Sequence, residues 1–312
     1  MIEVEGLTKR FAAIPAVSDV GFSVAAGDVV GLIGPNGAGK STTLKMITGY
    51  LPPTSGRAVV CGFDVAKDPT EVKRRIGYLP EGAPAYADMG VGDFLDFVAG
   101  ARGLKGPAKA RRVDEVVERM RLGDVLTQPI DTVSKGFKRR VGIAQAVLHD
   151  PPVLILDEPT ADLDPNQRHE VHRLVRDMAP GRAILVSTHM LDEVEALCSR
   201  TVVLAGGRVV AHATPEELQS RSSHHNAVRI RVAGDQADKT LNAVRGLPRV
   251  AEAVRIDRAG PHPTVDILVK PQPGETIAEA VRDALTAHRL PVDELRIERG
   301  RLDDVFRQLT GT

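Results

Sequence analysis

Short runs of apolar, mostly β-branched residues recur along the first two thirds of the chain, at 29–33, 153–156, 183–187 and 202–204. They scarcely alternate with polar positions, so each is predicted to be a strand buried on both faces, as in a parallel sheet. Between them the apolar spacing turns helical. Val113, Val116, Val117 and Met120 stand at i, i+3, i+4 and i+7 and predict one amphipathic helix. From Tyr86 onward the spacing stays helical and carries no strong strand signal. A helical insertion over about residues 86–145 is therefore expected inside an α/β domain covering residues 1–218.

The pattern breaks at the polar stretch QSRSSHHN, residues 219–226, which reads as a linker. Beyond it, residues 227–312 repeat one motif twice. Strand 228–232, helix 236–244 and strand 250–256 are followed by strand 265–269, helix 276–287 and strand 292–297. Ile277, Ala280, Val281, Ala284 and Leu285 make an apolar stripe on the second of these helices. Two strand–helix–strand units in so short a span predict a small α+β, ferredoxin-like module. A last helix, 301–309, places Leu302, Val305, Phe306 and Leu309 on one face and should dock.

Composition narrows the possibilities. At 312 residues, one large domain plus one small one is the natural expectation. Lys plus Arg equals Asp plus Glu at 41 each, so no global field recruits nucleic acid, and no nucleic-acid partner is expected. The two cysteines, Cys61 and Cys198, form no CxxC pair, which argues against a disulfide framework or zinc site and for a reducing cytoplasm. The opening MIEVEGLTKRF alternates acidic and apolar residues without the apolar core of a leader. The apolar runs fall far short of the ~20 residues that span a bilayer. If membranes matter, they matter through another chain.

The chemistry concentrates at a few places. Gly34-Pro35-Asn36-Gly37-Ala38-Gly39-Lys40-Ser41 fits GxxxxGK[ST], directly after a strand and before a helical pattern that opens at Thr42. Glycines let backbone N–H groups wrap a phosphate, and the helix N-terminus adds a favourable dipole. A glycine-rich turn without phosphate would not need these flanks. Lys40 is placed to reach the β- and γ-phosphates of ATP and Ser41 to ligate Mg²⁺. The run at 153–156 ends in Asp157 and Glu158. Asp157 can hold Mg²⁺ through water, and Glu158 can polarise a water for attack on the γ-phosphate. These features alone define a P-loop nucleotidase.

Val133-Ser134-Lys135-Gly136-Phe137-Lys138-Arg139-Arg140-Val141, some 20 residues before the acidic strand, separates the possibilities further. With its continuation RRVGIAQAV and the later PPVLILDEPT, it resembles the ABC ATPase family, whose signature Leu-Ser-Gly-Gly-Gln is followed by basic residues and a helix. Ser134 and Gly136 stand on the signature's serine and second glycine; Lys135 and Phe137 depart from its first glycine and glutamine. Further matches follow in the family's order. The resemblance implies a D-loop at Ala161-Asp162-Leu163-Asp164, a switch histidine at His189 that senses the γ-phosphate, and an adenine-stacking aromatic at Phe11. In Gly77-Tyr78-Leu79-Pro80-Glu81 the family usually has a glutamine that touches Mg²⁺ and the attacking water. Glu81 can still ligate the ion but adds negative charge. The YLPE, VSKGF, TADLDPNQ and LDDVFRQLTG segments resemble the exporter branch that includes gliding-motility and drug-export ATPases. The Lys138–Arg140 run reads as a solvated helix start, and His224-His225 as linker or surface.

The resemblance is dense over residues 1 to 218 and looser beyond. It implies an ATP-hydrolysing subunit, peripheral on the cytoplasmic face of the cell membrane. Each ATP would lie between residues 34–41 of one subunit and Ser134/Gly136 of the other, so a second copy or a paralogue is needed. It also implies a separate transmembrane permease received by the helical insertion and the Glu81 loop. Two rivals stand beside this reading: a non-transport ABC ATPase, and a motor whose C-terminal module senses a ligand.

Overall fold

The chain opens as an antiparallel hairpin, ahead of the parallel sheet that the later apolar runs predict. Strands β1 (Ile2–Phe11) and β2 (Ile14–Val24) pair from Ile2 against Val24 to Phe11 against Ile14. Ile2, Val4 and Leu7 point inward while Glu3 and Glu5 are exposed, the period-two alternation of a half-buried strand. The alternating opening residues carry this signal. After β3 (Val29–Ile33) and α1 (Lys40–Ile47), strand β4 (Ser55–Val60) joins β1, and the short β5 (Phe63–Asp64) joins β4.

The computed structural model describes residues 1–82, 85–256 and 264–311. Following α2 (Pro69–Arg75) and β6 (Ile76–Leu79) come α3 (Val91–Ala101), α4 (Gly106–Met120) and α5 (Lys135–Val147). The chain then returns to the sheet through β7 (Val153–Asp157), which pairs in parallel with β6. The helices α3 to α5 thus interrupt two neighbouring strands. Val116 and Met120 of α4 are fully buried, as their spacing predicts. Next come α6 (Pro165–Met178), β8 (Ala183–Thr188), α7 (Leu191–Leu197), β9 (Arg200–Ala205) and β10 (Arg208–Ala213). The order in the sheet is β10-β9-β3-β8-β7-β6, parallel except for β10. β3, β7 and β8 are buried at every position, which explains their unbroken apolar runs.

The chain divides into two units, Met1–Thr214 and Pro215–Thr312. Residues 219–226, read above as a linker, lie inside the second unit. Gln219 closes α8 (Pro215–Gln219), Ser222 is buried, and His224 pairs with Asp304 at 2.6 Å. Polar composition misled there because these side chains find partners on the last helix. The rest of the unit comprises β11 (Val228–Ala233), α9 (Ala237–Arg245), β12 (Val250–Ile256), β13 (Thr264–Pro271), α10 (Ala278–Ala287), β14 (Glu294–Ile297) and α11 (Leu302–Thr310). Its sheet is antiparallel with order β12-β13-β11-β14. Ile230, Val265, Ile267 and Val269 share one core with Ile277, Val281 and Leu285 of the α10 stripe.

Ile230→Ala should lower the stability of the second unit by about 2–5 kcal/mol, because it deletes buried methylenes from a packed centre. A urea titration should show the unfolding midpoint of residues 215–312 moving down while that of residues 1–214 stays in place.

Candidate functional site

The parallel strands set the site by ending along one edge. Gly34 follows β3, Glu158 follows β7, His189 follows β8, and Glu81 lies two residues beyond β6. Loops at the carboxyl ends of such strands are where α/β sheets place ligands. At Gly34 an added Cβ would lie 2.4 Å from the carbonyl oxygen of Leu204, so the loop passes hard against β9. Gly39 takes φ 101°, with the space for a Cβ blocked by the Ala16 carbonyl at 2.7 Å. Both positions require glycine. No side chain caps α1, whose first N–H groups therefore stay available to an anion.

Lys40 is buried at the first position of α1 and donates to the carbonyl oxygens of Gly34 at 2.7 Å and Pro35 at 3.3 Å. Burial pushes its ammonium pKa down, opposed by the charges of Glu158, Asp157 and Glu81. A cleft of about 430 Å³ is lined by Ala16, residues 36–42, Glu81 and Glu158. Asn36, Gly37, Ala38, Gly39, Lys40, Ser41 and Thr42 thus come together with both glutamates. The cleft offers phosphate-binding N–H groups on one side and carboxylates on the other.

Glu158 sits at φ 49°, a left-handed conformation uncommon outside glycine. Its N–H donates to the Ser187 side chain at 3.0 Å and lies 3.2 Å from the Ser187 carbonyl oxygen. The Ser187 hydroxyl in turn donates to Asp157, which is buried at the end of β7. The Nδ1 of His189 is 2.9 Å from the Glu158 carboxylate. Ser187 is the residue that sequence reasoning missed; its signal was a pair of buried hydroxyl residues, Ser187 and Thr188, closing an apolar strand. The oxygen donors Ser41, Glu81 and Asp157 suit a hard divalent cation of the kind that completes its shell with waters and substrate phosphate.

Ser134, Gly136 and Asp164 do not line this cleft. Ser134 is exposed and caps α5, accepting from the Phe137 N–H at 3.4 Å. Asp164 caps α6 through the Gln167 N–H at 3.0 Å. The Gln167 side chain lies beside Gly136, where a Cβ would meet it at 2.8 Å. Gly136 and Asp164 therefore both adjoin Gln167. Phe11 is exposed at the end of β1, with the Lys9 ammonium 5.4 Å from its ring centre. The reading of Lys138–Arg140 as a solvated start is corrected. Arg139 is buried, and Arg140 pairs with Glu170 and stacks on Phe137. Helical phase turns them inward, which a run of three basic residues conceals.

Residues 17–161 match the family described as ABC transporter. The chain is 36% identical over 225 residues to the probable multidrug ABC transporter ATP-binding protein YbhF of Escherichia coli, covering 72% of this chain but 39% of that protein. It is 30% identical over 318 residues to the linearmycin resistance ATP-binding protein LnrL of Bacillus subtilis, covering 100% of this chain and 98% of that one. A solved structure of the ATP-binding subunit of an ABC transporter superposes with TM-score 0.65 at 36% identity, covering 70% of this chain and 92% of its own. With a phosphate loop, an acidic strand end and a histidine on one sheet edge, and full-length kinship to LnrL, the chain belongs to the ABC transporter family of ATP-binding ATPases.

Proposed function

We propose that this chain binds ATP with Mg²⁺ and hydrolyses it as the motor of an exporter, paired with a second copy or a paralogue and driving a separate permease from the cytoplasmic face of the membrane. The observation that carries the reading is the cleft where the phosphate loop, Glu81 and the His189-bound Glu158 converge. Residues 34–42 hold the triphosphate through backbone N–H groups, and Lys40 exchanges its loop carbonyls for phosphate oxygens. Phe11 offers an exposed ring to the adenine. Glu158 accepts the proton of the attacking water as the new P–O bond forms and the β–γ bridge breaks, leaving ADP and phosphate. His189 holds the Glu158 carboxylate and orients that water. Ser41, Glu81 and Asp157 are the residues that would hold Mg²⁺, which spreads the charge of the transferring phosphoryl group.

Pairing is supported by the exposed Ser134 at the start of α5, outside the cleft of its own chain. There it is free to close on a partner's nucleotide beside Gly136, with Asp164 at the joint. A separate permease is supported on two grounds. No helix among the described residues is long and apolar enough to cross a membrane. The first unit also exposes aromatic rings in a chain that holds only three Tyr and seven Phe: Tyr50, Tyr86 and Phe97. Tyr86 packs edge-on against Phe97 at 5.7 Å, and Tyr50 lines a groove of about 450 Å³ with Tyr78 and Val98. The exposed Tyr86–Phe97 pair fits a contact with a partner helix. LnrL is named for linearmycin resistance and YbhF for probable multidrug transport, which favours an exporter.

The second unit is read as a ferredoxin-like accessory module over residues 227–312. Its β-α-β-β-α-β order and strand arrangement support this reading. A cleft of about 460 Å³ there, with Arg221, His225 and Lys270 in its lining, favours a ligand-sensing role beside the motor reading.

Glu158→Gln should retain ATP binding, lose turnover by roughly 10²–10⁴-fold and accumulate as an ATP-held dimer. Light scattering after gel filtration with ATP, together with a phosphate-release assay, checks this; a monomer with normal turnover refutes the assignment. Phe97→Asp should leave the ATPase rate of the isolated subunit within about twofold of the parent. It should abolish co-purification with the permease from membranes, and retained co-purification removes this face from the reading.

A further inference from the structure

A second cleft in the first unit is lined by charge of one sign. It measures about 520 Å³ and lies among α2, the end of α3 and His149, which precedes β7. Its titratable lining residues are Lys73, Arg74, Arg102 and His149, and it includes no carboxylate. The acids nearby in the chain are engaged elsewhere. Glu71 pairs with Arg74 at 2.7 Å and Arg75 at 2.6 Å, and Asp150 pairs with Arg112 and Arg182. Lys73 and Arg102 form no ion pair among the described residues. Arg102 donates one N–H to the Lys73 carbonyl oxygen at 2.9 Å, which ties the end of α3 to α2. Two unpaired cations thus line one cleft.

His149 adds an independent observation. Its Nε2 lies 3.1 Å from the Ile76 carbonyl oxygen, and its Nδ1 is buried without a hydrogen-bond partner among the described residues. With Nε2 donating to that carbonyl, a neutral ring leaves Nδ1 as an acceptor without a donor. Burial, with the charges of Arg102 and Arg112, holds its pKa down to about 4. An anion beside Arg102 offsets that repulsion, and the protonated ring then has an Nδ1–H to donate. This cleft is separate from the phosphate loop. Ile76 opens β6 and His149 precedes β7, whereas Glu81 and Glu158 follow those strands, and the two clefts share no lining residue.

Two fixed positive charges, a ring able to gain a third, and the Thr70 hydroxyl suit a doubly charged oxyanion better than a singly charged carboxylate. Arg102 offers a planar fork to its oxygens and Lys73 a point charge. We propose that this cleft binds a phosphate dianion, held by Lys73, Arg102 and His149 at the strand ends opposite the nucleotide. Two sources carry that chemistry: the headgroup of a phosphatidate in a membrane, and a soluble phosphate.

Two measurements on the full chain separate the sources, with ADP in excess to engage the phosphate loop. Flotation uses phosphatidylcholine vesicles with and without phosphatidate. Titration uses inorganic phosphate and follows the His149 ring protons by NMR, assigned through His149→Gln. Each is run on the parent, Lys73→Gln, Lys73→Gln/Arg102→Gln, and Arg111→Gln/Arg173→Gln, which removes the same charge from exposed positions outside the cleft. The parent should bind phosphatidate vesicles or shift its His149 signals with phosphate. Lys73→Gln should weaken that response several-fold, and Lys73→Gln/Arg102→Gln by about tenfold or more. The control variant should stay within about twofold of the parent. An ATPase rate within about twofold of the parent reports that each variant is folded. If the double variant does not fold, the several-fold effect of Lys73→Gln decides alone. Binding to vesicles only assigns the lipid source and a response to phosphate only the soluble one; either upholds the proposal. A parent that responds to neither, or cleft and control variants that weaken alike, overturns it. Cleft variants that lose co-purification with the permease, without either response in the parent, give the cleft to an acidic side chain of that partner and overturn it too.

Discussion

A carboxylate buried at the end of an apolar strand organises everything around it. Asp157 closes β7 after four fully buried aliphatic residues, and its charge cannot stay there unpartnered. The hydroxyl of Ser187, its register partner on β8, donates to it. The same hydroxyl oxygen accepts the N–H of Glu158, holding that residue in its left-handed turn. One serine therefore satisfies the buried Asp157 and holds the backbone of the half-buried Glu158. His189, two residues on, reaches the Glu158 carboxylate from the same strand end. Loss of that hydroxyl would leave the buried Asp157 carboxylate without its Ser187 donor.

Cations complete the picture from outside the two strands. Lys40 arrives buried on the phosphate loop, held by the Gly34 carbonyl oxygen, and Arg139 lies buried in α5 against the Ala161 carbonyl oxygen. The sheet order makes this possible. β3, β8, β7 and β6 run side by side, so residues far apart in the chain end along one edge. The helices α3 to α5 interrupt β6 and β7 without disturbing their pairing, and so bring the signature into the domain as an addition to the sheet.

The sequence carried the elements with local signatures. The phosphate loop was legible because spacing, flanking strand and following helix all agree at residues 29–42. The unbroken apolar runs marked β3, β7 and β8, and the stripe from Ile277 to Leu285 marked α10. Less was legible where the signal is shared. The hairpin of β1 and β2 hides in an alternating opening stretch. Residues 219–226 look like a linker because polar residues that pair with one another are compositionally the same as polar residues in water. Arg139 looked solvated because a basic triplet does not announce its helical phase.

Residue type and spacing by themselves determined the chemistry available to this protein: backbone donors for phosphate, a lysine to follow them, and two acids at a strand end. Those are local properties, set by glycine's freedom, helix polarity and the two faces of a strand. Only the tertiary structure decided which groups share a field. That Ser187 serves Asp157 and Glu158, that His189 meets Glu158, and that Lys40 shares one cleft with Glu81 and Glu158 depends on strand order and helix packing. Electrostatic coupling acts through space, and distance in space is what a linear sequence leaves out.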